Sequence, residues 1–120
     1  MIQTGLAFCE VSFIRRALKT SRREDFFARE ELAWVTGARQ AIHLAGVLAA
    51  KKAFLQALGC PEFSRLSEIV VEFLSNGCPT LQVKSSTLKK ILRGKKISLS
   101  ISHTKNIATG LALVYLDRRR

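Results

Sequence analysis

Three groups of residues in this sequence are of types and spacings that could do chemistry. Ser102-His103-Thr104 sets an imidazole between two hydroxyls, directly after the alternating segment Ile97 to Ile101. Hydroxyls so placed can donate to a phosphate or simply cap the loop, and a lone histidine can be a ligand contact or a structural hydrogen-bonder. Lys51-Lys52 breaks the apolar run Ala41 to Leu58. Lys51 falls on the same helical stripe as Leu44, Leu48 and Leu55, which argues against simple exposure. Arg15, Arg16, Lys19, Arg22 and Arg23 place five cations in nine residues. They suit an acidic partner or form a solvated face.

The charge balance points the same way. Twenty Lys and Arg against nine Asp and Glu give a formal net charge of +11. A surface that basic attracts nucleic acid, acidic proteins or phosphate-rich small molecules. Nucleic acid is the weakest of these, because no zinc spacing, aromatic RNA-binding pattern or helix-turn-helix signature accompanies the charge. Cys9, Cys60 and Cys78 are too few and too scattered for a disulfide framework, and no CxxC pair suggests zinc. Reduced thiols in a cytoplasmic protein are expected. The N-terminus carries no basic region or cleavage site of a signal peptide. The longest apolar run looks too short and too charged to span a bilayer, so no membrane partner is expected.

Hydrophobic content of 48% with 24% charged residues fits a folded chain, and the length predicts one domain over residues 1–120. Ile2 to Phe8 reads as a buried strand. Ser12 is placed to cap a basic helix to about Thr20, and Asp25 to cap a second helix containing Phe26, Phe27, Leu32 and Trp34, closed by Gly37. Ala41 to Leu58 reads as a central helix whose alanines predict close packing by another element, with Gly59 and Pro61 ending it. Ile69 to Leu74 and Pro79 to Val83 flank Ser75-Asn76-Gly77, a hairpin signal. A short basic helix over Ser85 to Leu92 and strands at Ile97 to Ile101 and Ala108 to Leu116 complete the chain. The order predicts an α+β domain, a mostly antiparallel sheet with helices packed on one side.

Several segments match one family in order and spacing. Gly5-Leu6-Ala7-Phe8-Cys9-Glu10-Val11 stands where acyl-carrier-protein synthases have a G-(I/L)-D-I-x-E-(I/L) strand. Phe27 and Glu30 precede Leu44-Ala45-Gly46-Val47-Leu48-Ala49-Ala50-Lys51-Lys52-Ala53-Phe54, which resembles the family's L-A-G-R-(F/W)-A-A-K-E-A-F helix. Asn76-Gly77-Cys78-Pro79 is similar to its N-G-K-P hairpin, and Ser100 to Lys105 to its S-(I/L)-(S/T)-H-(S/T) segment. The resemblance runs from about residue 2 to 115. It implies the 4'-phosphopantetheinyl transferase fold and transfer of the phosphopantetheine arm of coenzyme A to a serine of acidic apo acyl-carrier protein, for fatty acid biosynthesis. It also implies a homotrimer with sites between subunits. Lys51, Gly77, Pro79, Ser102, His103 and Thr104 are then expected at the coenzyme A site, with Lys51, Lys52 and His103 as candidate catalytic groups. Arg15, Arg16, Lys19, Arg22 and Arg23 are expected to dock the carrier protein. Gly46 is expected to permit close packing, and His43 carries no motif and reads as structural.

The sequence departs from the family where the resemblance implies a magnesium ion. Ala7 stands at the position of the metal-binding Asp and Lys52 at that of the Glu; alanine offers no ligand and an ammonium repels a divalent cation. Glu10 should point to the opposite strand face from residue 7. Val47 and Phe13 each stand where the family has an arginine. No metal site is therefore expected, and transfer should be weakened or absent. The alternative is a rebuilt, metal-independent site in which the Lys52 ammonium meets the pyrophosphate.

Overall fold

In a computed structural model that describes residues 1–117, the chain folds around one long helix. The elements are β1 (Ile2–Glu10), α1 (Val11–Ala17), α2 (Arg23–Phe26), α3 (Arg29–Trp34), α4 (Gln40–Leu58), β2 (Ile69–Phe73), β3 (Pro79–Val83), α5 (Ser86–Leu92), β4 (Lys95–His103) and β5 (Ile107–Leu116). One sheet has the order β1-β5-β4 and the other is the hairpin β2-β3; every pairing is antiparallel. The α+β expectation, with helices on one side of an antiparallel sheet, is met.

Strand alternation sets what α4 can approach. Gly5, Ala7 and Cys9 of β1 pair with Ala112, Gly110 and Ala108 of β5, and all of these face the helix. The alanines of α4 settle onto this floor. A Cβ at Gly5 would run into the carbonyl of Ala53, and one at Gly110 would lie 2.6 Å from the Ala49 carbonyl carbon. Gly46 meets Ile101 in the same way, its imagined Cβ 2.7 Å from the Ile101 Cγ2. Small residues on both surfaces thus let helix and sheet pack backbone to backbone. Larger side chains fill the flanks, with Val11, Ile14, Leu44 and Leu48 in one cluster and Phe54, Ile69, Leu88 and Val114 in the other.

Four expectations are corrected. β1 is not a buried strand: Leu6 and Phe8 are 49% and 57% exposed, because none of the described residues covers the sheet face opposite α4. The first helix begins at Val11, with Glu10 rather than Ser12 at its cap, since the Val11 N–H is already taken by the Asn106 carbonyl at 2.9 Å. The second helix breaks in two at Phe27 and Ala28, both extended, and Gly37 (φ 81°) opens the single turn that leads into α4. Lastly, Gly37–Leu58 is a 22-residue helical stretch long and apolar enough to cross a membrane, against the reading of the sequence. In this fold, 78% of its most apolar window is buried inside the protein.

Candidate functional site

Three elements converge on a cleft of about 290 Å³ beside the first turns of α4. The helix and its lead-in contribute Arg39, His43 and Gly46; the β2-β3 hairpin contributes Phe73, Gly77 and Pro79; β4 contributes Ile101 and His103. Gly77 (φ 88°) makes the hairpin turn, with Leu74 N–H and Cys78 O closing it at 2.9 Å. The sequence-predicted Gly77, Pro79 and His103 therefore share one wall-to-wall space. Arg39 and two imidazoles bring only positive or neutral groups into it, so the cleft suits an anion.

The two histidines are held differently. His103 Nδ1 lies 3.3 Å from the Thr104 carbonyl oxygen. A carbonyl only accepts, so Nδ1 carries the proton and Nε2 is left for another partner. The His43 ring packs at 5.2 Å from Phe73. Burial holds His43 below its ordinary 6.5, and the charge of His103 adds to the effect. His43 and Arg39 were not anticipated from the sequence as lining residues. The available signal was spacing: His43 lies three residues before Gly46, on one helix face.

Other predicted residues fall elsewhere. Ser102 sits on the opposite strand face from Ile101 and His103, by the pleat. Thr104 Oγ1 accepts the N–H groups of Asn106 and Ile107, each at 3.2 Å, so this hydroxyl shapes the turn. The phosphate contact expected of Lys51 is overturned. Its ammonium is fully buried and donates to Glu31 Oε1 at 2.6 Å, Phe26 O at 2.7 Å and Leu66 O at 3.0 Å, which uses all three protons. Glu31 in turn accepts from Ala28 N–H at 2.9 Å and Val71 N–H at 2.8 Å. Burial lowers Lys51 to about 8 and raises Glu31, while their mutual attraction opposes both shifts. The pair pins α3, α4 and β2 together.

Ala7 and Lys52 lie at a separate pocket, lined also by Leu55, Gln56, Pro61 and Phe63. The exposed Lys52 Nζ stands 6.0 Å from the Phe13 ring centroid, so two of the sequence's departures meet. Lys52 also pulls the Cys9 thiol down against the burial that raises it. The polar oxygen of the lining, Gln56 Oε1, already accepts the Leu6 N–H at 2.6 Å. Glu10 is on the other face of β1. An ammonium and an engaged amide do not fit a hard divalent cation, which needs several anionic or carbonyl oxygens. Val47, at the other departure in this helix, is 1% exposed in the core.

Of the basic segment, Arg15, Arg16, Lys19 and Arg22 are exposed, whereas Arg23 donates to the carbonyls of Leu18 at 3.1 Å and Thr20 at 3.2 Å and secures the turn after α1. The two pockets share no residue. Ala7 on β1 and His103 on β4 are on opposite edges of the sheet with β5 between them, roughly 12 Å apart, at two strand spacings and an offset of two residues.

No family model matches the chain. Among curated relatives, the holo-[acyl-carrier-protein] synthase of Protochlamydia amoebophila is 34% identical over 90 residues, covering 73% of this chain and 73% of its own. That of Chloroherpeton thalassium is 28% identical over 98% of this chain and 100% of its own. Among solved structures, the ACPS–CoA complex of Chronobacterium ammoniagenes superposes with a TM-score of 0.83 at 26% identity, covering 98% of this chain and 99% of that one.

Proposed function

We propose a function from one premise: the chain belongs to the holo-[acyl-carrier-protein] synthase family. The family reaction moves the 4'-phosphopantetheine arm of coenzyme A to a serine of apo acyl-carrier protein. The serine oxygen bonds to the phosphorus carrying the arm, the bond to the adenosine 3',5'-bisphosphate half breaks, and the serine proton is lost. Such a transfer depends mainly on positioning and on neutralising phosphate charge. In our reading this chain keeps surfaces for both substrates, while its magnesium-dependent transfer is weakened or lost.

The observation that carries this is the lining of the Ala7–Lys52 pocket, where an ammonium and a bonded amide stand in place of anionic ligands. The cleft of Arg39, His43 and His103 supports retained coenzyme A binding, with His103 Nε2 and Arg39 facing phosphate oxygens and the Gly77–Pro79 hairpin bordering the nucleotide. Exposed Arg15, Arg16, Lys19 and Arg22 support docking of the acidic carrier protein. The bare sheet face, where Leu6 pairs with Leu111 and both are exposed, supports a homotrimer. In our reading, assembly sets the cleft of one copy beside the Ala7–Lys52 pocket of the next, since the two share no residue within one chain. The same reading places the protein in the cytoplasm, as one unit over residues 1–120.

A second reading rests on Lys52 itself: its exposed ammonium, held near Phe13, meets the pyrophosphate and supports slow transfer without metal. One experiment separates the two. The protein is incubated with coenzyme A and apo acyl-carrier protein, with magnesium or with chelator, and the added arm is sought by mass spectrometry. Little or no modification, with calorimetric coenzyme A binding intact, supports weakened chemistry. Modification unaffected by chelator supports the Lys52 site. Rapid magnesium-dependent modification overturns both. A double variant, Ala7→Asp with Lys52→Glu, is expected to raise magnesium-dependent transfer about 100-fold, the scale of restoring a charge-stabilising group.

A further inference from the structure

We propose that the end of the molecule formed by α5, the start of β4 and the end of β5 is a surface for docking on an anionic lipid bilayer. Charge is distributed very unevenly along this chain. After Val83 come ten of its 20 Lys and Arg but one of its nine Asp and Glu, Asp117, so that segment holds +9 of the total +11. The basic segment around α1, assigned above to the carrier protein, has acidic neighbours such as Glu24 and Asp25 and leaves this excess unexplained.

The fold gathers much of the excess at one place. α5 buries Leu88 and turns Lys89, Lys90 and Arg93 to solvent. The chain then turns at Gly94 (φ 74°), where the Gly94 carbonyl accepts the Asp117 N–H at 2.9 Å, and Lys95 pairs with Leu116. Lys95, Leu116 and Met1 line a common shallow groove; Met1 is 89% and Leu116 51% exposed. Leu88 packs in the cluster of Phe54 and Leu58 near the last turn of α4. His43 and Gly46, in the anionic-ligand cleft, lie in the first turns of that helix, roughly 17 Å away along its axis. The surface is therefore separate from that cleft.

Its chemistry favours lipid over other polyanions. Lysines outnumber arginines here, and lysine is a hydrated point charge suited to diffuse attraction, whereas fork-like recognition of nucleic-acid phosphates and protein carboxylates favours arginine. Protruding Met1 and Leu116 beside Lys95 supply an apolar fringe, which a bilayer can accept and a duplex backbone cannot. This departs from the expectation of no membrane partner, which was argued from a crossing segment alone; lying on a surface differs from spanning it.

The full-length protein is centrifuged with vesicles of phosphatidylcholine alone and of phosphatidylcholine with phosphatidylglycerol in a two-to-one mixture. Binding to the mixed vesicles is expected to be at least about tenfold stronger, and to fall with added salt. Lys89→Ser, Lys90→Ser and Arg93→Ser together should remove most of it, and Lys89→Arg with Lys90→Arg should keep it. Leu116→Ser, which leaves every charge in place, should weaken it, and circular dichroism reports whether each variant folds. Equal binding to both vesicle types, or undiminished binding by the triple serine variant, overturns the proposal. So does a duplex oligonucleotide that displaces the protein from the vesicles at equal phosphate concentration. Because the transfer assay uses a soluble carrier protein, its outcome and this one are independent.

Discussion

Lys51 and Lys52 are neighbours on one helix with the same side chain, and the fold treats them as opposites. Lys51 is buried with its three protons given to Glu31, Phe26 and Leu66. Lys52 is exposed, its ammonium 6.0 Å from the centre of the Phe13 ring. A step of one residue turns the side chain by about 100° around the helix axis, enough to move it from the core to the surface. The lysine that the family resemblance assigned to phosphate thus serves the architecture. Lys52 is left at the pocket that Ala7 lines. Retention of a residue type at a motif position is a weak guide to its role unless its partners are known.

The contrast can be broken most forcefully at Lys51. Lys51→Met should cost about 3–5 kcal/mol in denaturant unfolding, because Glu31 would stay buried with its ion-pair partner gone. Adding Glu31→Gln, which keeps an acceptor for the backbone while removing the charge, should recover part of that loss. A cost below about 1 kcal/mol for Lys51→Met would mean the pair is not the pin described here.

A smaller effect belongs to the cleft. His43 is held below 6.5 in the folded state, so the unfolded chain takes up its proton first as pH falls. The neutral ring's contribution is complete above pH 6.5 and is lost as pH drops below it. Urea midpoints measured downward from pH 7 should decline, and His43→Gln should flatten the decline. Bound phosphate should shift the His43 resonances toward the protonated form, since an anion favours the charged ring.

The smallest effect is predicted for Lys52. Lys52→Met should change stability by no more than about 0.5 kcal/mol, as expected of an exposed side chain. If it instead matched Lys51→Met, the distinction between the two lysines would fail.

Much of the fold could be read along the chain. The Gly59 stop, the Asn76-Gly77 turn and the alternation of Ile97 to Ile101 each express a local rule, and each appears where expected. Ser12 and Asp25 obeyed similar rules and were overruled, one by a hydrogen bond from Val11 to the distant Asn106, the other by a chain break at Phe27 and Ala28. Within the site, Gly77, Pro79 and His103 were legible through motif order, whereas Arg39 and His43 carry no motif and join the cleft only because α4 passes the hairpin. Glu31 was passed over for Glu30, which is exposed and reaches Lys84 at 3.1 Å.

By itself the sequence determined the order of the strands, the absence of carboxylates at residues 7 and 52, and the charge excess after residue 83, since these are matters of residue type and period. Tertiary structure alone decided which lysine is enclosed, which face of β1 stays bare, and that the cleft and the Ala7–Lys52 pocket lie apart. Those depend on contacts between residues distant in the chain, where a backbone hydrogen bond or a buried charge outweighs local preference.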